Sequence, residues 1–303
     1  MRTRRAPNRV PLAKLLMALP LLTLAACHSA VLDPQGAVGL AEKTILIDSL
    51  GIMLAIVIPV IVAIFAFAWW FRASNSRAQY LPGFVYSGQL ELVLWGIPLL
   101  TIILLGGVAF IGSHQLDPAR PLESKTPALE VQVVSLDWKW LFIYPGLHVA
   151  SVNQLVIPAG TPVHFTLTSA SVMNTFFIPQ LGSMIYTMNA MADQLNLIAD
   201  HPGTFRGLSG HLSGDGFSDM HFEVRAVSPT DFQAWAAATG GEGDTLNSVA
   251  YQALARQSVP AAPFTYRDVD AGLFHRIVAQ LEAPGPGPDS GRPNRDVSPK
   301  TGH

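Results

Sequence analysis

Two uncharged apolar runs decide the compartment of this chain. Leu50 to Phe71 is 22 consecutive residues without a charge, about 33 Å as an α-helix at ~1.5 Å per residue. Leu92 to Gly112 is another 21, about 32 Å by the same arithmetic. A bilayer core is ~30 Å thick, so each run is long enough to cross it once. Each run holds one proline, Pro59 or Pro98, which transmembrane helices tolerate. Trp69, Trp70 and Phe71 close the first run, where an aromatic belt belongs. Arg72 and Arg77 follow with no acid before Glu91. The positive-inside rule therefore puts the connecting loop in the cytoplasm and everything after Gly112 on the outer side. The expected membrane unit spans residues 45–112, with helices over about 45–71 and 90–112. Asp48 then sits at the outer interface.

The start of the chain agrees with this topology. Arg2, Arg4, Arg5, Arg9 and Lys14 precede a short apolar stretch from Leu15 to Leu24, too short to span a bilayer. Leu24-Ala25-Ala26-Cys27 follows and resembles a lipoprotein signal-peptidase site. Residues 1–26 read as a lipoprotein signal peptide, with acylation such as palmitate expected on Cys27. Residues 27–44 read as an outer-side N-terminal segment. Cys27 is the single cysteine, so no internal disulfide and no Cys-x-x-Cys site can form. A net charge of −2 gives no footprint for nucleic acid.

Residues 113–127 are a polar, proline-rich linker. From Ala128 the period changes to two. Leu129, Val131 and Val133 alternate with Glu130 and Gln132, and Val163, Phe165 and Leu167 with His164, Thr166 and Thr168. Leu195 and Leu197 flank Asn196, and Met220, Phe222 and Val224 alternate with His221, Glu223 and Arg225. Short strands separated by Pro- and Gly-rich turns indicate a sandwich or small barrel over residues 128–227. Ser228-Pro229-Thr230-Asp231 carries the signature of a helix start, with further helix expected near 245–256 and 273–281. Residues 228–283 thus read as a helical arm, and the Pro/Gly-rich 284–303 as a disordered tail.

Three strings then stand out: Glu91-Leu-Val-Leu-Trp95-Gly-Ile-Pro98, Asp137-Trp138-Lys139-Trp140, and Ser171-Val172-Met173-Asn174-Thr175-Phe176-Phe177-Ile178-Pro179, followed by the segment Ser209 to Met220. In this order, after two spans, they resemble subunit II of the haem–copper respiratory oxidases. The resemblance implies a membrane α plus all-β fold: a two-helix transmembrane hairpin, a cupredoxin-like β-sandwich and short C-terminal helices.

In the copper-bearing branch of that family, a His and a Cys-x-Glu-x-Cys-x3-His-x2-Met cluster hold a binuclear copper centre. Setting the final Met on Met220 puts the Cys positions on Ser209 and Ser213, the Glu on His211 and the second His on Phe217. The first His falls on Asn174. Only Met220 remains a ligand type, and a lone thioether without thiolate or imidazole does not hold copper. The resemblance is closest to the cytochrome bo-type ubiquinol oxidases, and it implies no metal and no catalytic residue in this chain. Haems, copper and ubiquinol are expected in a partner, oxidase subunit I, beside smaller membrane subunits and lipid in a bacterial inner membrane. Glu91 resembles a residue near a proton-channel entrance, and it also fits a plain boundary carboxylate. His148, His164, His201, His211, His221 and His275 are scattered and read as structural. Trp138 and Trp140 read as packing or subunit-contact residues. Two alternatives stay open. One is a cytochrome c oxidase subunit with its own copper, opposed by the missing cysteines. The other is a stand-alone lipoprotein that binds a partner through the sandwich.

Overall fold

The computed structural model describes residues 30–79, 81–258 and 262–287. The expected signal peptide, Cys27 with its expected acylation and most of the expected tail lie outside the described residues. The two apolar runs form α1 (Ala37–Trp70) and α2 (Gly88–Gln115). Both are apolar and long enough to cross a membrane, and the central windows of both are unburied by the rest of the chain. They touch where Ile45 reaches Gly112: a Cβ added at Gly112 would sit 2.8 Å from Ile45 Cδ1.

Both helices outrun their apolar cores. α1 begins at Ala37, inside the segment expected to precede the membrane unit, because its first turn has a seat on the sandwich. The Gln35 amide donates to the Gln180 carbonyl (2.7 Å), the Asp200 amide to Gln35 (2.9 Å) and the Gly39 amide to Leu181 (3.0 Å). Val38 and Gly39 are buried there, and Ser183 hydrogen-bonds the Glu42 carboxylate. α2 runs on to Gln115, taking the first residues of the expected linker.

Ten strands build the sandwich: β1 (Leu129–Leu136), β2 (Lys139–Tyr144), β3 (Val149–Val152), β4 (Gln154–Pro158), β5 (Val163–Ser169), β6 (Asn174–Phe177), β7 (Ile185–Thr187), β8 (Asp193–Leu197), β9 (Gly203–Ser209) and β10 (His221–Val227). One sheet runs β3-β2-β1-β5-β8 and the other β4-β10-β9-β6-β7. β1 pairs parallel with β5 and antiparallel with β2. The inward rows are those the alternation marks: Val131, Val133, Phe165, Leu167, Leu195, Leu197, Met220, Phe222 and Val224 are all buried. Rings fill the middle. Phe176 stacks on Phe222 at 5.3 Å, and Trp140 meets Phe176 edge-on at 5.4 Å.

The region after Val227 corrects the expectation of a purely helical arm. α3 (Pro229–Gly241) starts as expected, with the Ser228 hydroxyl accepting from the Asp231 amide. Strand β11 (Thr245–Leu246), helix α4 (Ser248–Leu254), strands β12 (Phe264–Tyr266) and β13 (Asp268–Val269) and helix α5 (Leu273–Val278) follow. The expected helices are therefore shorter, and Thr245–Leu246 is strand, paired with β13. β12 adds a sixth strand to the first sheet, beside β3. The arm buries that sheet's outer face: Val134, Leu136, Leu141 and Ile143 pack with Leu246, Tyr251, Leu254, Tyr266, Phe274 and Ile277 in a second core. Order also reaches into the expected tail, since the Gly285 amide donates to Ala170.

Candidate functional site

Four of the positions that the sequence singled out, Asn174, Ser209, Ser213 and Met220, meet at one end of the sandwich. β6 carries Asn174, β9 ends on Ser209, and the loop between β9 and β10 carries Ser213, Phe217 and Met220. Asn174 (0% exposed), Ser209 (4%), Ser213 (5%) and Met220 (1%) are buried. The Ser209 hydroxyl lies 3.2 Å from Asn174 Oδ1 and 3.3 Å from the His211 carbonyl. The Ser209 amide donates to the Met220 carbonyl (3.1 Å). The Ser213 hydroxyl lies 3.8 Å from Met220 Sδ.

The network continues into groups the sequence reading missed. Asn174 Nδ2 donates to the Val172 carbonyl (3.3 Å) and reaches Ser135 Oγ at 3.5 Å. Ser135 Oγ is 2.8 Å from Thr187 Oγ1. These neutral groups satisfy one another, as buried polar groups must. His211 and Phe217 stand apart. His211 is half-buried with its ring edge-on to Tyr186 (6.1 Å), and Phe217 opens a 3₁₀ turn, Phe217–Asp219.

Copper, which this fold family implies, does not fit these residues. The buried donors are an amide, two hydroxyls and one thioether, whereas soft or borderline metals bind through thiolate and imidazole. The polar atoms also spend their bonds on each other. Among the described residues, no group of three or more His, Cys, Asp or Glu side chains could hold a metal. The remaining histidines do not converge. His164, for one, pairs with Asn196 through Nδ1 at 2.9 Å.

The Asp137-Trp138-Lys139-Trp140 string turns the chain between β1 and β2. Trp138 has φ of 63°, a left-handed value that is costly for a bulky residue. Its neighbours hold it there. The Trp138 indole N–H donates to the Ser213 carbonyl (3.1 Å), tying the turn to the loop of Ser213 and Met220. Buried Asp137 accepts from Ser171 Oγ (2.5 Å) and from the Gly287 amide (2.9 Å). Buried Lys139 donates to the Arg256 carbonyl (2.6 Å) and to Ser258 Oγ (2.7 Å). Burial pushes its ammonium down to about 8, against the opposing pull of the Asp137 carboxylate. At the arm's far end, the Ser248 hydroxyl (2.5 Å), with the Arg276 guanidinium (2.9 Å), holds the Glu282 carboxyl below the usual range. The turn therefore joins three parts: β1–β2, the loop carrying Ser213, and the arm. Trp140 is fully buried in the central ring cluster.

Glu91 lies apart from all of this, exposed in the first turn of α2. Its carboxylate makes no hydrogen bond or ion pair among the described residues.

Fold and site together define a class: a two-helix membrane hairpin bearing a cupredoxin-like sandwich that buries Asn174, Ser209, Ser213 and Met220 at one end. Comparison with known proteins agrees. Residues 132–227 match the family model for the cytochrome c oxidase subunit II periplasmic domain. Residues 241–285 match that of the COX aromatic-rich motif. The ubiquinol oxidase subunit 2 of Acetobacter aceti is 47% identical over 261 residues, covering 86% of this chain and 85% of the relative. The cytochrome bo(3) ubiquinol oxidase subunit 2 of Pseudomonas aeruginosa is 44% identical, covering 89% and 81%. The quinol oxidase subunit 2 of Bacillus cereus is 34% identical, covering 82% and 86%. This chain belongs to the ubiquinol oxidase subunit 2 family.

Proposed function

We propose that the chain is subunit II of a proton-pumping respiratory quinol oxidase in a bacterial inner membrane, a non-metal subunit packed on a haem-bearing catalytic subunit. The observation that carries this reading is the buried, mutually bonded set Asn174, Ser209, Ser213 and Met220, found in a chain of the ubiquinol oxidase subunit 2 family. We read Asn174, Ser209, His211, Ser213 and Phe217 as lost copper-ligand positions, with Met220 retained. Without a copper relay, an electron from a soluble carrier has no entry through this domain, and electrons from ubiquinol enter the partner directly. Oxygen is reduced to water there, and haems, copper and quinol all reside in that partner. The sandwich lies on the outer, periplasmic side, the loop between α1 and α2 faces the cytoplasm, and acylated Cys27 adds a third anchor.

Glu91 has an exposed carboxylate at the cytoplasmic end of α2. An ionisable residue at a membrane edge is a functional candidate, and we assign it to the mouth of a proton path completed by the catalytic subunit. A Glu91→Ala complex should pump fewer protons per oxygen reduced; unchanged turnover and pumping would reduce Glu91 to a boundary carboxylate. The assignment as a whole is tested by purification in mild detergent. The chain should emerge with a haem-bearing partner whose oxygen uptake is driven by ubiquinol. Emergence alone would leave it a stand-alone lipoprotein.

A further inference from the structure

Turn residues are chiefly Gly, Pro, Asn, Asp and Ser, and large apolar side chains clustered on an exposed turn mark a contact surface. The tip between α1 and α2 has such a cluster around its Pro-Gly centre. A turn closed by the Phe84 amide on the Leu81 carbonyl (3.2 Å), with Pro82 and Gly83 at its centre, sets Leu81 and Phe84 at its corners. Both are exposed, as are Val85 (90% exposed) and Tyr86. Trp69, Trp70 and Phe71, at the same end of the helix pair, are also exposed. Apolar and aromatic side chains at the end of two membrane helices suit the boundary between acyl chains and headgroups.

Charge says which headgroup. No acid occurs between Asp48 and Glu91, while Arg72 and Arg77 both fall in the loop. Arg72 is held in place: its Nη1 donates to the Trp69 carbonyl (2.9 Å), its Nε to Ser74 Oγ (3.0 Å), and its guanidinium lies 4.9 Å from the Trp69 ring centroid. Asn75 Nδ2 takes the next carbonyl, that of Trp70 (2.6 Å). The helix end is thus closed without using all of the five donors of Arg72. The Arg77 side chain is exposed and makes no hydrogen bond or ion pair among the described residues. A fixed guanidinium, a second arginine and an apolar tip complement a phosphate attached to acyl chains; the one acid at this end, Glu91, lies beyond the loop, in the first turn of α2, and leaves two cations against one anion.

We propose that this loop is a binding site for an anionic phospholipid. Arg72 and Arg77 hold its headgroup, while Leu81, Phe84 and Val85 lie against its upper acyl chain. The proposal rests on the reading of α1 and α2 as membrane spans. An arginine near an anionic surface is worth roughly a fivefold preference, being about 1 kcal/mol. Acting independently, the pair should therefore select an anionic lipid over a zwitterionic one by about twenty-five-fold.

The test uses the intact oxidase complex in phosphatidylcholine nanodiscs. These carry trace phosphatidylglycerol or phosphatidylcholine with a photoactivatable acyl chain, and adducts are mapped by mass spectrometry. Phosphatidylglycerol should label residues 69–87 about twenty-five-fold more than phosphatidylcholine in ~0.1 M salt. The preference should shrink in 1 M salt, where the screening length falls from about 10 to about 3 Å. Arg77→Gln should lower it about fivefold and Arg77→Lys should retain most of it. Equal labelling by both lipids, or a loop labelled by neither while the helices are labelled, overturns the proposal alone. Helices that take no label overturn the membrane reading with it.

Discussion

Gly36→Ala isolates the joint between the membrane helix and the sandwich. Gly36 has φ −148° and ψ 157°, extended backbone that alanine adopts freely, so any effect is steric. The added Cβ would sit 2.0 Å from the Ile198 carbonyl oxygen and 3.3 Å from its carbon. Relief requires the two backbones to part by more than 1 Å, since carbon and oxygen approach no closer than about 3.3 Å. The bonds from Gln35 to Gln180 and from Asp200 to Gln35 flank this contact, and that from Gly39 to Leu181 lies one turn on. At about 1 kcal/mol each, their loss costs roughly 3 kcal/mol, about a hundredfold in the docking equilibrium. Hydrogen exchange on the purified complex reads this directly. The amides of Gln35, Gly39 and Asp200 should lose about two orders of magnitude of protection, while Val133 and Phe165, in the sandwich core, keep theirs. Unchanged protection at those three amides would refute the seat; loss at Val133 as well would show that the joint is part of the fold.

Two further substitutions probe the core and the arm. A Cβ at Gly207 would meet the Phe222 ring at 2.1 Å, and that ring is stacked on Phe176. Gly207→Ala should therefore cost about 2 kcal/mol by overpacking and lower the Tm by roughly 5 °C in a thermal scan of the complex; an unchanged Tm would mean the cluster has slack. Lys139 loses its proton near 8 when folded but only near 10.5 when unfolded. Between those values the unfolded chain holds more protons, so stability should rise with pH from about 8 to about 10.5 and be insensitive to this group below 8. The urea midpoint of the complex should show that rise, and Lys139→Met should flatten it.

Where one face of a strand met the core, the sequence announced it. Val131 and Val133, Phe165 and Leu167, and Phe222 and Val224 all lie inward as their spacing implies. The second core was harder to see, because its other half is the arm, more than a hundred residues further on. One sign was present: Lys139-Trp-Leu-Phe-Ile-Tyr144 has no alternation, as expected of a strand covered on both faces. The start of α1 was hidden because Glu42, Lys43 and Asp48 interrupt its hydrophobicity. Backbone bonds to Gln180 and Leu181 set that start, and hydropathy does not register them. The candidate site was legible as an ordered set of residue types, since Asn174 and Ser209 each stand where a ligand would be needed. Their direct contact across 35 positions was not legible. Neither was the role of Trp138, whose left-handed backbone and bond to Ser213 have no local sequence signature. Asp137 and Lys139 gave only a motif; their partners Gly287, Arg256 and Ser258 come from the far end of the chain.

The central claim is that electrons enter the complex from ubiquinol without a copper centre in this chain. The most direct measurement is paramagnetic resonance and near-infrared absorbance of the purified complex, taken alongside its ubiquinol-driven oxygen uptake. The expected result is rapid uptake with no signal from a thiolate-bridged binuclear copper. A stoichiometric copper signal assigned to this chain, or uptake that requires a soluble cytochrome as donor, would contradict it.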